Sequence, residues 1–398
     1  MRCFGAVLGS RRKGAGRAKS LRILPALLGI FLRFSPDTAP GEEPIKIILP
    51  TENQGLLTGD YAGFCQSVKR DFEGQKSDPW EGGQYGFVRN PMRIGSQIIY
   101  TRFHAGMDIL PLHRDASGEP EDIVRALAAG RVVYANPDPL ASNYGRYVVI
   151  QHDFNGCPYF SLYAHLKMTG VSAGESIDQG AGIGVLGYSG EGIDRERAHV
   201  HLGLNLLVNE GFDNWFAKYF PRDGDRHGIY NGMNLVGIDI GRFYQELGKN
   251  PNLTIPQFLK EETVWYRVVV PASNKMDILS RYPWLSNGQT TAAAWEISFA
   301  RSGVPLQIKP AETQLKEPTV VWVESSPFSQ SLMTKGFIQG SGSYYFDSGL
   351  EADGQTRVVA LPGATFNLTD SLPLLKDKLV VLLPDLDDAG IAALRKKP

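Results

Sequence analysis

Two histidines separated by one residue, His199 and His201, constrain this chain more than any other feature of its sequence. They lie in the run 198–207, where apolar residues alternate with polar or small ones. If this run is a strand, its period of two places both imidazoles on one face. Val200 and Leu202 then lie on the opposite face, where they suit a hydrophobic core. The pattern predicts a strand with a core on one side and two imidazoles on the other.

A His-x-Gly-x-Asp motif spans residues 104–108 and places a carboxylate four residues after a histidine. Imidazole and carboxylate ligands together fit Zn²⁺, and a site with three protein ligands leaves a fourth position open. Asp108 could instead cap a turn, and Gly106 could simply permit a tight turn between His104 and Asp108. Taken with the paired histidines, the motif outlines a catalytic metal site.

A third motif, Tyr-x-His-Leu, spans residues 163–166. Its tyrosine could belong to the core or line a cleft. A lone histidine on a strand is usually structural, so His165 indicates a metal site only together with the other two motifs. The remaining histidines match no ligand spacing. We interpret His152 as a hairpin residue, His227 as a surface or packing residue, and His113 as no more than a neighbour of the ligands.

Between residues 96 and 207 the chain is a series of short β runs separated by glycines and polar turns. The first strand is predicted near 96–101, and the clearest runs are 131–135, 147–151, 159–164 and 182–187. Asn155 and Gly156 lie between two of them and predict a hairpin, because both residues accept positive φ. One helical interruption is predicted at 121–129. The predicted fold class is mainly β (α+β), with an antiparallel sheet and flanking short helices.

After residue 207 the periodicity changes. Short helices are predicted at 212–220, 238–247 and 255–259, the last of them opened by Thr254 or Pro256. From residue 264 onward β runs return at 265–270, 295–300, 319–323, 343–346 and 357–361, and a last helix is predicted at 387–394. This region has no His or Cys. We therefore interpret it as a small β-rich accessory domain for binding or packing.

The chain has 398 residues, too many for one ordinary core. The predicted division is a basic leader at 1–36, an N-terminal extension at 37–90, a central domain at 91–262 and the accessory domain at 263–398. The three motifs lie in the central domain, within 102–205.

The charge is unevenly distributed. Residues 1–35 carry eight Lys and Arg and no acid, so the remainder holds 33 basic against 42 acidic residues. The net negative charge of the chain after residue 35 excludes nucleic acid as a partner. The basic leader and its apolar run at 23–32 predict a signal peptide, and hence export to the periplasm or cell envelope. A disordered basic leader, or a start codon placed too early, is the alternative. No other segment could span a bilayer, and we expect a monomer.

Cysteine is sparse: Cys3 would leave with the signal, and Cys65 and Cys157 could pair in an oxidising compartment. One possible pair is not a disulfide framework, so we favour two small buried side chains.

Taken together, the three motifs resemble those of the LytM/lysostaphin-type zinc metallopeptidases, which cleave peptidoglycan peptides. The resemblance covers residues 102–205. It implies one Zn²⁺ per chain, held by His104, Asp108 and His201, and two unligated histidines, His165 and His199, at the open coordination position. A three-ligand zinc site lowers the pKa of bound water to about 7, and a nearby imidazole can take the proton. We favour His199 as this general base. The implied partner is a peptidoglycan peptide.

The chain also departs from that family. The usual Gly-Tyr-Gly-Asn turn reads Asn-Tyr-Gly-Arg at 143–146, and the loop before the paired histidines, 190–197, is longer and highly charged. Three alternatives follow: a catalytically silent relative that binds peptidoglycan or activates an amidase, a lipoyl-type β module, and hydrolysis of a peptide outside the wall. The aromatic, Gly-rich segment 80–87 could cover a sheet edge or lie in the groove, and we hypothesise an inhibitory role for residues 76–90.

Overall fold

The computed structural model describes residues 43–68, 71–94, 97–219, 226–271, 276–300, 302–312, 319–323, 344–350 and 356–361. Their strands are β1 (Asp71–Phe72), β2 (Gln75–Lys76), β3 (Val88–Ile94), β4 (Gln97–Phe103), β5 (Met107–Ile109), β6 (Ile123–Arg125), β7 (Gly130–Asn136), β8 (Tyr147–Phe154), β9 (Cys157–Ala164), β10 (Met168–Thr169), β11 (Ser176–Ile177), β12 (Gly182–Val185), β13 (Val200–Leu207), β14 (Leu235–Gly237), β15 (Tyr266–Pro271), β16 (Ala294–Phe299), β17 (Pro305–Pro310), β18 (Thr319–Val323), β19 (Tyr344–Leu350) and β20 (Thr356–Leu361). The α-helices are α1 (Gly55–Thr58), α2 (Tyr61–Phe64), α3 (Phe212–Tyr219), α4 (Ile240–Lys249), α5 (Ile255–Lys260) and α6 (Ile278–Arg281), and short 3₁₀ turns lie at Pro79–Gly83, Gly228–Tyr230 and Pro283–Ser286.

The largest sheet in the described part of the chain is antiparallel, with strand order β11-β7-β8-β9-β13-β14, and β5 pairs with the edge of β13 opposite β9. Its strands alternate between two apolar clusters, as a period of two requires. On β8, Val148 and Ile150 join the main core, whereas Tyr147 and Val149 join a second, smaller cluster on the opposite face. The predicted class, mainly β with short helices, is confirmed.

The turn between β8 and β9 shows how local sequence fixes the register. Asn155 and Gly156 have φ of 57° and 75°, the left-handed values that a two-residue hairpin turn needs. Phe154 therefore lies opposite Cys157, and pairing continues to Val148 opposite Tyr163. The predicted hairpin is confirmed.

Smaller sheets surround this one. Strands β10, β12 and β6 form a three-stranded sheet, and β17, β16, β15 and β18 form a four-stranded antiparallel sheet. The main core runs without interruption from the central sheet into the latter, since Trp295 and Ile297 belong to the same buried cluster as Val200. The predicted boundary between residues 262 and 263 stays a prediction, and the apolar packing crosses it.

The predicted helix at 121–129 is wrong. This segment contains β6, which pairs with β12. The Asp122 carboxylate accepts hydrogen bonds from the backbone N–H groups of Leu112 and His113, both at 2.9 Å. These nonlocal partners hold the backbone extended, so tertiary hydrogen bonding overrides the local helical pattern.

The helices predicted after residue 207 are confirmed as α3, α4 and α5, with shifts of one or two residues at their ends. Thr254 caps α5, because its side chain accepts from the N–H of Gln257 and the Gln257 side chain accepts in return. The helix predicted at 387–394 and the leader at 1–36 lie outside the described residues.

Two further expectations concern single features. Cys65 and Cys157 are both free and buried, as favoured above. None of the helices in the described part of the chain is long and apolar enough to cross a membrane.

His152 lies in the β8–β9 hairpin, as predicted, opposite Tyr159, and its exposed fraction is 0%. Its Nδ1 donates to the carbonyl oxygen of Ala129 (2.8 Å), and its Nε2 accepts from the Ser161 hydroxyl (2.7 Å). This arrangement satisfies the neutral ring, and a proton on Nε2 would break the second bond. Burial, partly opposed by the Ala129 hydrogen bond, lowers the pKa of His152 to about 4.

We expect His152 to make stability fall in acid. The unfolded chain takes up a proton near pH 6.5 and the folded protein only near pH 4, so the contribution is complete above 6.5 and lost as the pH falls to about 4. The difference amounts to about 3 kcal/mol. Urea unfolding between pH 4 and 6.5 should show a shallower pH dependence for His152→Gln than for the wild type. His113→Gln, which changes an exposed histidine, should keep the wild-type slope. An unchanged slope in His152→Gln would contradict the assignment.

Candidate metal centre and active site

Three predicted ligands converge at one end of the central sheet. His104 follows β4, Asp108 lies in β5 and His201 lies in β13. Strands β5 and β13 pair with Asp108 directly opposite His201, and the short turn before β5 brings His104 to the same point. All three side chains are buried.

One ligand atom from each side chain lies within 3.1 Å of the other two. His104 Nε2 is 2.9 Å from Asp108 Oδ1 and 3.1 Å from His201 Nδ1, and His201 Nδ1 is 2.9 Å from Asp108 Oδ1. This triangle forms a cluster able to hold a metal ion. Two imidazole nitrogens and one carboxylate oxygen are a donor set that fits Zn²⁺ and leaves a coordination position open.

Asp108 remains ionised in this setting. Burial alone would raise its pKa, but the charges of His104 and His199 and the hydrogen bonds from His104 and His201 outweigh burial. Together they hold the pKa of Asp108 well below its usual range. The carboxylate therefore supplies a full negative charge to the site.

A backbone carbonyl orients the first ligand. His104 Nδ1 lies 2.8 Å from the carbonyl oxygen of Gln84. A carbonyl only accepts, so Nδ1 carries a proton, and when the ring is neutral its lone pair lies on Nε2, the atom that faces Asp108 and His201. Such an outer hydrogen bond fixes the tautomer and ring orientation of a ligating histidine.

Gly106 is needed for a reason that the sequence did not indicate. We expected it to permit a tight turn, but its φ is not among the positive values found for other glycines. A Cβ at this position would lie 2.6 Å from His201 Nε2 and 2.5 Å from the carbonyl oxygen of Leu202. Glycine is therefore required because the chain passes directly against the ring of a ligand.

The two remaining histidines of the motifs lie beside the ligands. The ring centroids of His165 and His199 are 4.7 Å apart. His165 Nδ1 donates to the carbonyl oxygen of Ser189 (2.9 Å), and His199 Nδ1 donates to that of Arg197 (2.7 Å). The other ring nitrogen of His199, Nε2, lies 3.6 Å from Asp108 Oδ2.

His165 adopts a strained conformation. Its φ is 63°, a left-handed value that costs a non-glycine residue about 1–3 kcal/mol. Its N–H donates to the carbonyl oxygen of Tyr144 (2.9 Å), and the next N–H, of Leu166, donates to that of Arg146 (3.0 Å). Burial, reinforced by His199 and His201, lowers the pKa of His165 well below its ordinary value, so the ring is neutral.

The predicted strand at 198–207 begins later than expected. β13 starts at Val200, and His199 precedes it in an isolated bridge with Gly187. The two-face pattern is nevertheless confirmed, because Val200, Leu202 and Leu204 are all fully buried in the main core.

Sequence reasoning missed Tyr144, whose ring centroid lies 5.5 Å from that of His201 and 6.4 Å from that of His165. Its position in the altered turn 143–146 was the available signal. Reasoning from side-chain motifs also could not find the carbonyl groups of Gln84, Ser189 and Arg197, because a backbone group leaves no mark in the sequence.

The other residues singled out have structural roles. Tyr163 belongs to the core, and its hydroxyl accepts from the N–H of Leu127 (2.8 Å). His227 is buried, with Nδ1 2.8 Å from the Tyr134 hydroxyl, and His113 is exposed near Glu52. The lipoyl-type alternative gave no role to the histidines that meet in this centre, and nothing in the sheet topology favours it.

A comparison with known protein families identifies the segment that contains the three motifs. Residues 102–211 match the profile of Peptidase family M23. A comparison with curated proteins gives no match.

Solved structures of peptidases are similar over part of the chain. The catalytic domain of the antimicrobial peptidase lysostaphin from Staphylococcus simulans is 23% identical, over 30% of this chain and 77% of that chain, with a TM-score of 0.22. The catalytic domain of the prophage-encoded M23 protein EnpA from Enterococcus faecalis is 22% identical, over 30% and 80%, with a TM-score of 0.21. A zinc containing peptidase from Vibrio cholerae is 21% identical, over 34% and 41%, with a TM-score of 0.20.

The segment that carries all five polar residues of the centre therefore matches the Peptidase family M23 profile, and the resemblance to LytM/lysostaphin-type peptidases, predicted for residues 102–205, is confirmed.

Proposed function

We propose that this protein is a zinc-dependent endopeptidase that hydrolyses peptide cross-links of bacterial peptidoglycan. The observation that carries the proposal is the convergence of three donor atoms, from His104, Asp108 and His201, with two further imidazoles, His165 and His199, beside them. The family match supports the reaction class.

The donor set formed by His104, Asp108 and His201 would hold the metal. When bound in such a site, Zn²⁺ activates water as a nucleophile and polarises the scissile carbonyl. The ionised state of Asp108 and the Nδ1–H tautomer of His104 prepare both side chains for that task.

The neighbouring histidines would move the proton. His199 accepts the proton of the attacking water at Nε2, since its Nδ1–H is already held by the carbonyl of Arg197, and it delivers that proton to the leaving amine. His165 lies beside His199, with 4.7 Å between the ring centroids, and its backbone has a φ of 63°. We assign His199 as general base and His165 as the second catalytic imidazole.

The proposal also covers the cellular location and the oligomeric state of the protein. The basic leader with its apolar run supports export to the periplasm or cell envelope, where the substrate lies. We propose that the exported protein acts as a monomer.

Removal of the proton acceptor separates chemistry from metal binding. We expect His199→Ala to bind one zinc per chain, as the wild type does, because the three ligand atoms are untouched. Its release of new amines from purified sacculi should fall by about 10²–10⁴-fold. Zinc content is measured by elemental analysis and amines by derivatisation.

His113→Ala is the matched control, because it removes an exposed histidine and should keep full activity. Zinc in the wild type without any amine release would favour the silent relative over the enzyme. Loss of zinc in His199→Ala would move His199 into the ligand set and contradict its assigned role.

Removal of the metal should be reversible. Dialysis against a strong chelator should abolish amine release, and one equivalent of Zn²⁺ should restore it. Asp108→Asn lacks the charged ligand, so its zinc affinity should fall by at least about tenfold and one equivalent should leave it inactive. Activity that persists in the zinc-free wild type would contradict a metallopeptidase.

A further inference from the structure

The described residues of the segment 64–87, here named the N-terminal clamp, precede the family match at 102–211. The clamp has two arms, residues 64–68 and residues 79–87, and each contacts a different ligand-bearing segment. Its contacts are mainly backbone hydrogen bonds.

The first arm holds the strand that carries Asp108. The N–H of Gln66 donates to the carbonyl oxygen of Asp108 (3.0 Å), and the N–H of Leu110 donates to that of Phe64 (2.9 Å). Cys65 forms an antiparallel bridge with Ile109 between these two bonds. Because β5 pairs with β13 along its other edge, the first arm makes β5 an internal strand.

The second arm makes three hydrogen bonds to a single ligand residue. The His104 N–H donates to the carbonyl oxygen of Phe87 (2.9 Å), and the Gly86 N–H donates to that of His104 (2.8 Å). The third is the bond from His104 Nδ1 to Gln84 (2.8 Å). Backbone and ring of His104 are thus fixed together.

The two arms are packed against each other. The N–H of Val68 donates to the carbonyl oxygen of Pro79 (2.7 Å). A Cβ on Gly83 would lie 2.7 Å from the carbonyl oxygen and 2.8 Å from the nitrogen of Gln66. Only glycine allows the arms to meet at this distance, since the opposing atoms are backbone and cannot rotate away.

The clamp reaches the outer edge of the metal centre. It contacts His104 at Nδ1, while Nε2 faces the other two ligands. Three of its aromatic residues face inward: Phe64 and Phe87 are fully buried, and the Tyr85 hydroxyl donates to the carbonyl oxygen of Gly237 (2.6 Å). These contacts are those of a support rather than of a plug in the groove.

We propose that the N-terminal clamp is part of the metal centre: its backbone positions His104 and Asp108 for a divalent cation, and disturbing it weakens metal binding rather than uncovering the active site. This replaces the inhibitory role hypothesised for residues 76–90. The inference depends on the three-ligand site and not on peptide hydrolysis.

Gly83→Ala in the full chain tests the clamp with the smallest possible change. The added methyl group meets the backbone of Gln66 and must push the arms apart, which displaces Gln84 and its carbonyl. Gly248→Ala is the matched control, because a Cβ on that helical glycine meets nothing within 4 Å. Neither residue belongs to the ligand set.

Two readouts on the chelator-treated proteins report on the metal itself. Competition with a chromophoric chelator gives the dissociation constant for Zn²⁺, and the visible spectrum of the Co²⁺-loaded protein reports ligand geometry. We expect Gly83→Ala to raise the zinc dissociation constant at least about tenfold and to alter the Co²⁺ spectrum, with Gly248→Ala like the wild type. Circular dichroism verifies that both variants are folded.

A folded Gly83→Ala with wild-type zinc affinity and Co²⁺ spectrum would overturn the proposal. Unchanged metal binding with increased amine release would overturn it in favour of an inhibitory segment.

If Gly83→Ala does not fold, Tyr85→Phe tests the proposal instead, because it removes the hydrogen bond to the Gly237 carbonyl and adds no atom. A raised dissociation constant in Tyr85→Phe supports the clamp, and an unchanged constant and spectrum overturn it. Wild-type protein that binds zinc but releases no amines would contradict the proposed function and leave the proposal about the clamp unaffected.

Discussion

The pairing of β13 with β5 on one edge and β9 on the other is the constraint on which the rest of the site depends. His201 lies opposite Asp108 in the ladder with β5 and opposite Ala164 in the ladder with β9. The register of β13 therefore brings Asp108 to the His201 imidazole on one edge and His165, which follows Ala164, on the other. A slip of one residue would turn His201 into the core. The opposite face prevents that slip, because Val200 and Leu202 are fully buried and each such side chain stabilises the fold by about 1.5–3 kcal/mol.

The ligand side chains on the polar face of β13 and its neighbours destabilise the folded state. This destabilisation explains why so many hydrogen bonds from backbone carbonyl groups hold the histidine rings. Two imidazole nitrogens and a carboxylate oxygen direct lone pairs at one point within 3.1 Å of each other. Their mutual repulsion must be offset by a proton or a cation. Rigid surroundings are needed to hold these three ligand atoms together. Each of the motif histidines His104, His165 and His199 therefore donates its Nδ1 proton to a backbone carbonyl oxygen. These carbonyls belong to Gln84, Ser189 and Arg197.

The residues that the sequence could predict are those whose role depends on local period or on side-chain chemistry. His199 and His201 share a face by strand geometry, and Asn155-Gly156 accepts the φ values of its turn. What failed depended on distant backbone. The helix expected at 121–129 was replaced by β6 because Asp122 binds two N–H groups ten and nine residues away. The close approach of Gly106 to the His201 ring depends on a strand pairing across 95 positions, which no local pattern contains.

The far end of β13 shows that the support of the site extends beyond the motifs on the C-terminal side too. The N–H of Leu207 donates to the Tyr282 hydroxyl (2.9 Å), and Arg281 donates to the carbonyl oxygens of Leu207 (3.2 Å) and Val208 (2.8 Å). Arg281 is buried and also contacts Asp277 and Glu210. Without these partners the end of the ligand strand would leave buried carbonyl groups unsatisfied, each at a cost of about 1–3 kcal/mol. The metal centre is therefore supported from both sides of the family match, since the N-terminal clamp holds His104 and β5 and residues 281–282 hold the far end of β13. The folding unit is larger than the set of residues that its chemistry requires.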